Sequence, residues 1–213
     1  MLEAYLITLT GVVLAQASPG PNLLAVASAG LGQGRAAALA TVGGVATGML
    51  FWATAVAFGL AAVIALYPSL LTAMKIIGGS YLCWMGFKAL RAAWVGGDLS
   101  IKAGNETMTL GAHWRRGLLV ILTNPKAALM WTAVGTFLFG SGLPAWQVLA
   151  FGPLAALTAI LIYGGYGLMF SSGLATRTYA RFARWIECAF GAAFGALGGA
   201  LLWDGIKQAR AAT

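Results

Sequence analysis

What most constrains this chain is the distance over which it carries no charge. Acidic, basic and histidine side chains are missing from Ala4 to Gly34, from Ala36 to Met74 and from Ala127 to Thr176. About 20 apolar residues are enough for a helix to cross the ~30 Å hydrocarbon layer of a bilayer, whereas apolar stretches in soluble cores run to only about 14. The chain is therefore predicted to sit in a membrane. Its charged fraction agrees: 8%, against roughly 25% in soluble domains.

Glycine and proline clusters divide the apolar sequence. Helices are predicted over 2–28, 38–65, 69–92, 116–140, 146–170 and 183–206, with breaks at Gly32-Gln33-Gly34, Tyr67-Pro68-Ser69, Gly140 to Pro144 and Ser171-Ser172-Gly173. The expected fold is all-α and polytopic, six transmembrane helices forming one domain over residues 1–213. The first span carries Glu3 where a secretory leader would be basic, and further spans follow it, so it reads as part of the mature protein.

Orientation follows from the basic residues. Arg35 comes after the first span, Arg91, Lys102, Arg115 and Arg116 lie around the long connection after the third, and Arg177, Arg181 and Arg184 come after the fifth. The turns after the second and fourth spans carry none. The basic segments are thus expected in the cytoplasm and both termini in the periplasm, with Lys207 and Arg210 running against the trend. In a soluble chain a net charge of +8 would point to nucleic acid. Here the cytoplasmic loops account for it, and no nucleic-acid partner is expected.

Proline positions suggest an internal repeat. Pro19 and Pro21 interrupt the first span, Pro125 interrupts the fourth, and Pro125 follows Pro19 by 106 residues, half the chain. Two three-helix halves, approximately 1–95 and 112–213, would enter the membrane from opposite sides, the inverted repeat found in many secondary transporters.

Ser18-Pro19-Gly20-Pro21-Asn22 cannot continue a regular helix, because each proline lacks an amide donor and obstructs the preceding turn. Exposed backbone at membrane depth requires protein, water or ligand beside it. The break is therefore expected to face a central cavity, offering half-helix amides and the Asn22 amide to a carboxylate. The competing reading is a plain kink, with Asn22 bonding between helices.

Thr123-Asn124-Pro125-Lys126 is the counterpart in the fourth span. A cation near the bilayer centre costs about 2.5–3.5 kcal/mol on insertion scales. Lys126 either attracts a substrate carboxylate, exchanges a proton during the cycle, or snorkels to the headgroups. Gly44 and Gly48, like Gly191, Gly195 and Gly199, are spaced for close helix packing; alternatively Gly43 and Gly44 line the cavity, with Tyr163, Tyr166, Trp84 and Trp131 as further wall candidates.

Catalytic material is sparse. The predicted spans hold no histidine, no carboxylate pair and no Gly-x-Ser-x-Gly turn. Cys83 and Cys188 stand singly inside spans and His113 is expected as a lone solvated or lipid-facing group in the long connection, so neither a metal site nor a cofactor is expected.

These motifs together resemble the LysE/RhtB family of bacterial amino-acid exporters. The Ser18 to Asn22 box with Gly34-Arg35, Gly43-Gly44 and Gly48 is similar to its first half, Tyr81 to Gly86 with Leu90-Arg91 to the end of its third span, and Asn124-Pro125-Lys126 to its fourth. The stretch Ala127 to Phe139 departs from the phenylalanine-rich continuation of many relatives, which puts specificity in question. The resemblance implies a bacterial inner-membrane protein, homo-oligomeric, that exports amino acids or related small zwitterions using the proton gradient. It implies substrate-binding positions at Pro19, Gly20, Pro21, Asn22, Asn124, Pro125 and Lys126, to which the glycine pattern adds Gly44. The alternative is a channel or accessory subunit without carrier activity.

Overall fold

The computed structural model of the protein describes residues 2–60, 62, 67, 69–95, 104, 107–172 and 175–211. Pro68, the end of the second predicted span, Gly96-Gly97, Lys102 and Gly173 lie outside them. Every regular element described is helical: α1 (Leu2–Ala17), α2 (Pro21–Thr54, continued by a π-helical stretch Ala55–Leu60), α3 (Ser69–Val95), α4 (Leu110–Thr123), α5 (Pro125–Gly140), α6 (Ala145–Ser171) and α7 (Ala175–Ala211).

Local chemistry sets the boundaries. Pro21 and Pro125 each stand at the start of a helix, where a missing amide costs nothing. Asn124 caps α5 by accepting from the Lys126 amide at 3.0 Å, and Thr109 caps α4 by accepting from the Ala112 amide at 3.3 Å. α4 thus begins earlier than the predicted 116. Gly34 bends α2 at φ +82°, a left-handed conformation that suits glycine, and Gly142 does the same at +79° in the turn before α6. Pro153 lies inside α6.

Pro21–Gly59, Ala145–Ser171 and Cys188–Arg210 are each long and apolar enough to cross a bilayer, and α4 with α5 forms a further candidate bent by 60°. The protein is a multi-pass helical membrane protein. Its outer surface fits: Phe51, Phe58, Ile77, Phe87, Leu157 and Leu161 are all exposed. Hydroxyls inside the helices bond their own backbone, as Thr8 does to Ala4, Thr41 to Ala37 and Thr136 to Thr132.

Three long pairings organise the bundle. α2 packs along α6 and α4, while α3 packs along α7; α1 and α5 lie between them. Two of them, α3–α7 and α2–α4, bring backbones into close contact through glycine. A Cβ at Gly86 would come within 2.8 Å of the Gly195 amide nitrogen, one at Gly198 within 2.7 Å of the Gly79 carbonyl oxygen, and one at Gly117 within 2.0 Å of the Thr41 carbonyl oxygen. Gly191 is similarly tight, whereas a side chain at Gly199 would meet open space. The predicted small-residue stripe on the last helix is thus rotated, with Gly198 in place of Gly199.

Candidate functional site

The two helix breaks face one another. The first lies between the end of α1 and the uncapped start of α2 at Gly20. The second is the single residue Asn124 between α4, of 14 residues, and α5, of 16. At about 1.5 Å per residue this break sits near the middle of the bent pair, so Lys126 lies far from either end.

Lys126 Nζ donates to Ser18 Oγ and, at 3.4 Å, to the Pro19 carbonyl. It also stands 4.7 Å from the centre of the Phe190 ring, a cation–π contact. Asn124 Nδ2 donates to Asn22 Oδ1 at 3.2 Å, and Asn22 Nδ2 donates to Tyr163 Oη at 3.4 Å. The carbonyl of Ala17, left over at the end of α1, accepts from Tyr166 Oη at 2.9 Å. Polar groups exposed by the two breaks thus satisfy each other within the apolar bundle, as P-rich interruptions in lipid must.

Two spaces adjoin this knot. A cavity of about 340 Å³ is walled by Ser18, Pro19, Pro21, Tyr81, Trp84, Met85, Lys88, Ala89, Ala92, Asn124, Lys126 and Phe190. That volume is within the range of small-molecule pockets. A smaller one of about 20 Å³ lies against Gln16, Ser18, Gly20, Asn22, Asn124, Lys126 and Tyr163. Farther along the bundle Val12, Leu82, Val134, Phe137 and Phe194 pack around another small apolar gap, also of about 20 Å³.

Of the eight positions expected from sequence, Pro19, Gly20, Pro21, Asn22, Asn124 and Lys126 line one or both of the first two spaces, and Pro125 begins the helix that carries Lys126. Gly44 lies elsewhere. It forms the α2–α4 crossing, where a Cβ would come within 1.9 Å of the Trp114 carbonyl oxygen. Among the aromatic candidates Tyr163 and Trp84 are wall residues, Tyr166 caps α1, and Trp131 is buried against Phe151.

Several participants escaped the sequence reading. Gln16, two residues before the box, is 1% exposed, and Lys88 and Phe190 face the larger cavity. A polar residue inside an uncharged span was the available signal for Gln16. Lys75 is buried, its stem against Gly140 at the end of α5 and against Gly205. His113 is buried in α4, with both ring nitrogens unbonded, where a solvated or lipid-facing group in the connection was expected. Its helix starts before it, which the glycine-rich connection concealed. Among the described residues no group of three or more His, Cys, Asp or Glu side chains could hold a metal.

Residues 13–205 match the family model described as LysE type translocator. The threonine efflux protein of Escherichia coli K12 is 30% identical over 202 residues, covering 93% of this chain and 97% of that protein. The threonine efflux protein of Salmonella typhi is 30% identical over 190 residues, covering 87% and 91%. The homoserine/homoserine lactone efflux protein of Salmonella typhimurium LT2 is 29% identical over 131 residues, covering 62% and 61%. No solved structure matches.

Proposed function

The chain belongs to the LysE type translocator family, and on that premise we propose that it is a secondary active transporter exporting an amino acid, of the small neutral kind named for its relatives, across the bacterial inner membrane. The observation that carries this reading is the meeting of Lys126 and Asn124 at the wall of a cavity of about 340 Å³, with Asn22 bonded to Asn124 beside the adjoining small cavity. A carboxylate entering it finds an ammonium held in low dielectric, beside the positive and uncapped start of α2.

In this reading the chain crosses six times. The first crossing is α1 with α2 up to the Gly34 bend, the second is the rest of α2, and the others are α3, α4 with α5, α6 and α7. Positive-inside orientation puts the end of α3 in the cytoplasm and both termini outside. Lys88, Ala89 and Ala92, which wall the larger cavity, belong to that end. The conformation therefore admits substrate from the cytoplasm, while Val12, Leu82, Val134, Phe137 and Phe194 close the opposite side. The halves 1–95 and 112–213 would be inverted copies that exchange this access. Supporting the repeat, Pro21 and Pro125 both open the second half of a broken helix, a better correspondence than that of Pro19 with Pro125. Proton coupling would use Lys126, the ionisable group at the breaks.

The test is counterflow in proteoliposomes of purified protein preloaded with unlabelled threonine or homoserine. Labelled substrate should accumulate transiently and saturably. Absence of counterflow across a full amino-acid panel, with folded protein, would favour a channel or accessory subunit.

A further inference from the structure

We propose that Gln16 forms a subsite for the substrate's α-ammonium group, in the small cavity behind Lys126. The inference rests on the reading of the protein as an amino-acid carrier and assigns the end of the substrate that Lys126 cannot recognise. Gln16 is 1% exposed. Its Nε2 donates to the Ala155 carbonyl at 3.0 Å, which fixes the amide plane, and its Oε1 is buried without a donor. Native structures keep few such orphaned acceptors, because a buried acceptor without a partner forfeits its bond to water.

The inventory of the wall decides what the orphan is for. Lys126 supplies donors only. Asn22 Oδ1 accepts from Asn124, and Ser18 Oγ accepts from Lys126. Gln16 Oε1 remains as an acceptor with nothing to accept. An amino acid brings the matching pair of ends, a carboxylate that needs donors and an ammonium that needs acceptors. The cavity of about 20 Å³ has room for one water-sized group, and an ammonium is of that size. It shares Ser18, Asn124 and Lys126 with the larger cavity. A carboxylate that draws Lys126 away from Ser18 opens the wall between them and lets the amino group through to Gln16.

The experiment compares threonine with its deaminated analogue, 3-hydroxybutyrate, in the counterflow assay, for the wild-type protein and for Gln16→Met, which keeps the side-chain volume without the acceptor. The wild type should prefer threonine at least tenfold in KM. In Gln16→Met that preference should collapse toward parity through loss of threonine affinity, and Gln16→Glu, which retains an oxygen there, should keep it. Because the readout is a ratio within one preparation, reduced expression or partial unfolding does not mimic it. An unchanged ratio in Gln16→Met, as expected if Gln16 holds only a structural water, overturns the inference alone. Failure of the folded wild type to exchange any amino acid overturns the carrier reading, and this inference with it.

Discussion

Lys126 meets the Ser18 hydroxyl, the Pro19 carbonyl and the face of the Phe190 ring. In the proposed cycle this lysine binds the substrate carboxylate. If it also passes the coupling proton, charge and proton exchange can be separated by substitution, because an arginine there stays protonated throughout. Lys126→Arg should retain energy-independent exchange, within about tenfold of wild type, and lose accumulation driven by an imposed pH gradient, whereas Lys126→Ala should lose both. Gradient-driven accumulation by Lys126→Arg liposomes would remove this lysine from the proton path. That this residue stands at the breaks inside the bundle was readable from sequence, since one lysine in a long uncharged stretch demands a reason. Gln16, Lys75 and His113 were not so readable. Their standing depends on burial by helices distant in sequence, and an amide oxygen becomes conspicuous only when its surroundings are known to lack a donor.

The helices themselves are joined most tightly where α2 crosses α4. Gly44 and Gly117 let carbonyls of the opposing helix lie where a side chain would otherwise be, 1.9 and 2.0 Å from the ideal Cβ positions. Backbone cannot move aside as a flexible side chain can, so a single methyl should pry the crossing apart. Gly117→Ala is expected to destabilise the protein by about 1–3 kcal/mol, the ordinary cost of overpacking, and Gly199→Ala to be neutral or slightly stabilising through helix propensity. Thermal unfolding of the purified variants in detergent would show the difference, and equal midpoints would mean that the crossing relaxes freely. The glycine spacing disclosed that close contacts exist. It could not fix their phase, because Gly198 is selected over Gly199 by the position of Gly79 and Cys83 on α3. Proline was the more faithful guide: both broken helices appear where prolines forbid continuation.

At the scale of the molecule, the all-helical architecture and the two helix breaks, before Pro21 and at Asn124, were legible in the apolar stretches and their punctuation, whereas the pairing of α3 with α7 was not, since every long helix here is apolar enough to adjoin any other. The orientation proposed from the basic residues has a direct check. A cysteine placed at Ser141, in a protein freed of Cys83 and Cys188, should react with a membrane-impermeant thiol reagent in intact cells, and one at Thr107 should not; both positions are exposed. The reverse pattern would invert the topology and turn the open cavity toward the periplasm. The contacts across the knot also impose a timetable on biosynthesis. Ser18 and Pro19 are bonded by Lys126, Ala17 by Tyr166 and Gln16 by Ala155, so a nascent chain inserts its first break into the bilayer before any of these partners has been translated. Until α5 and α6 emerge, that break must be sheltered by water or by the insertion machinery, and the half of the protein made first is the half that finishes folding only when the second has arrived.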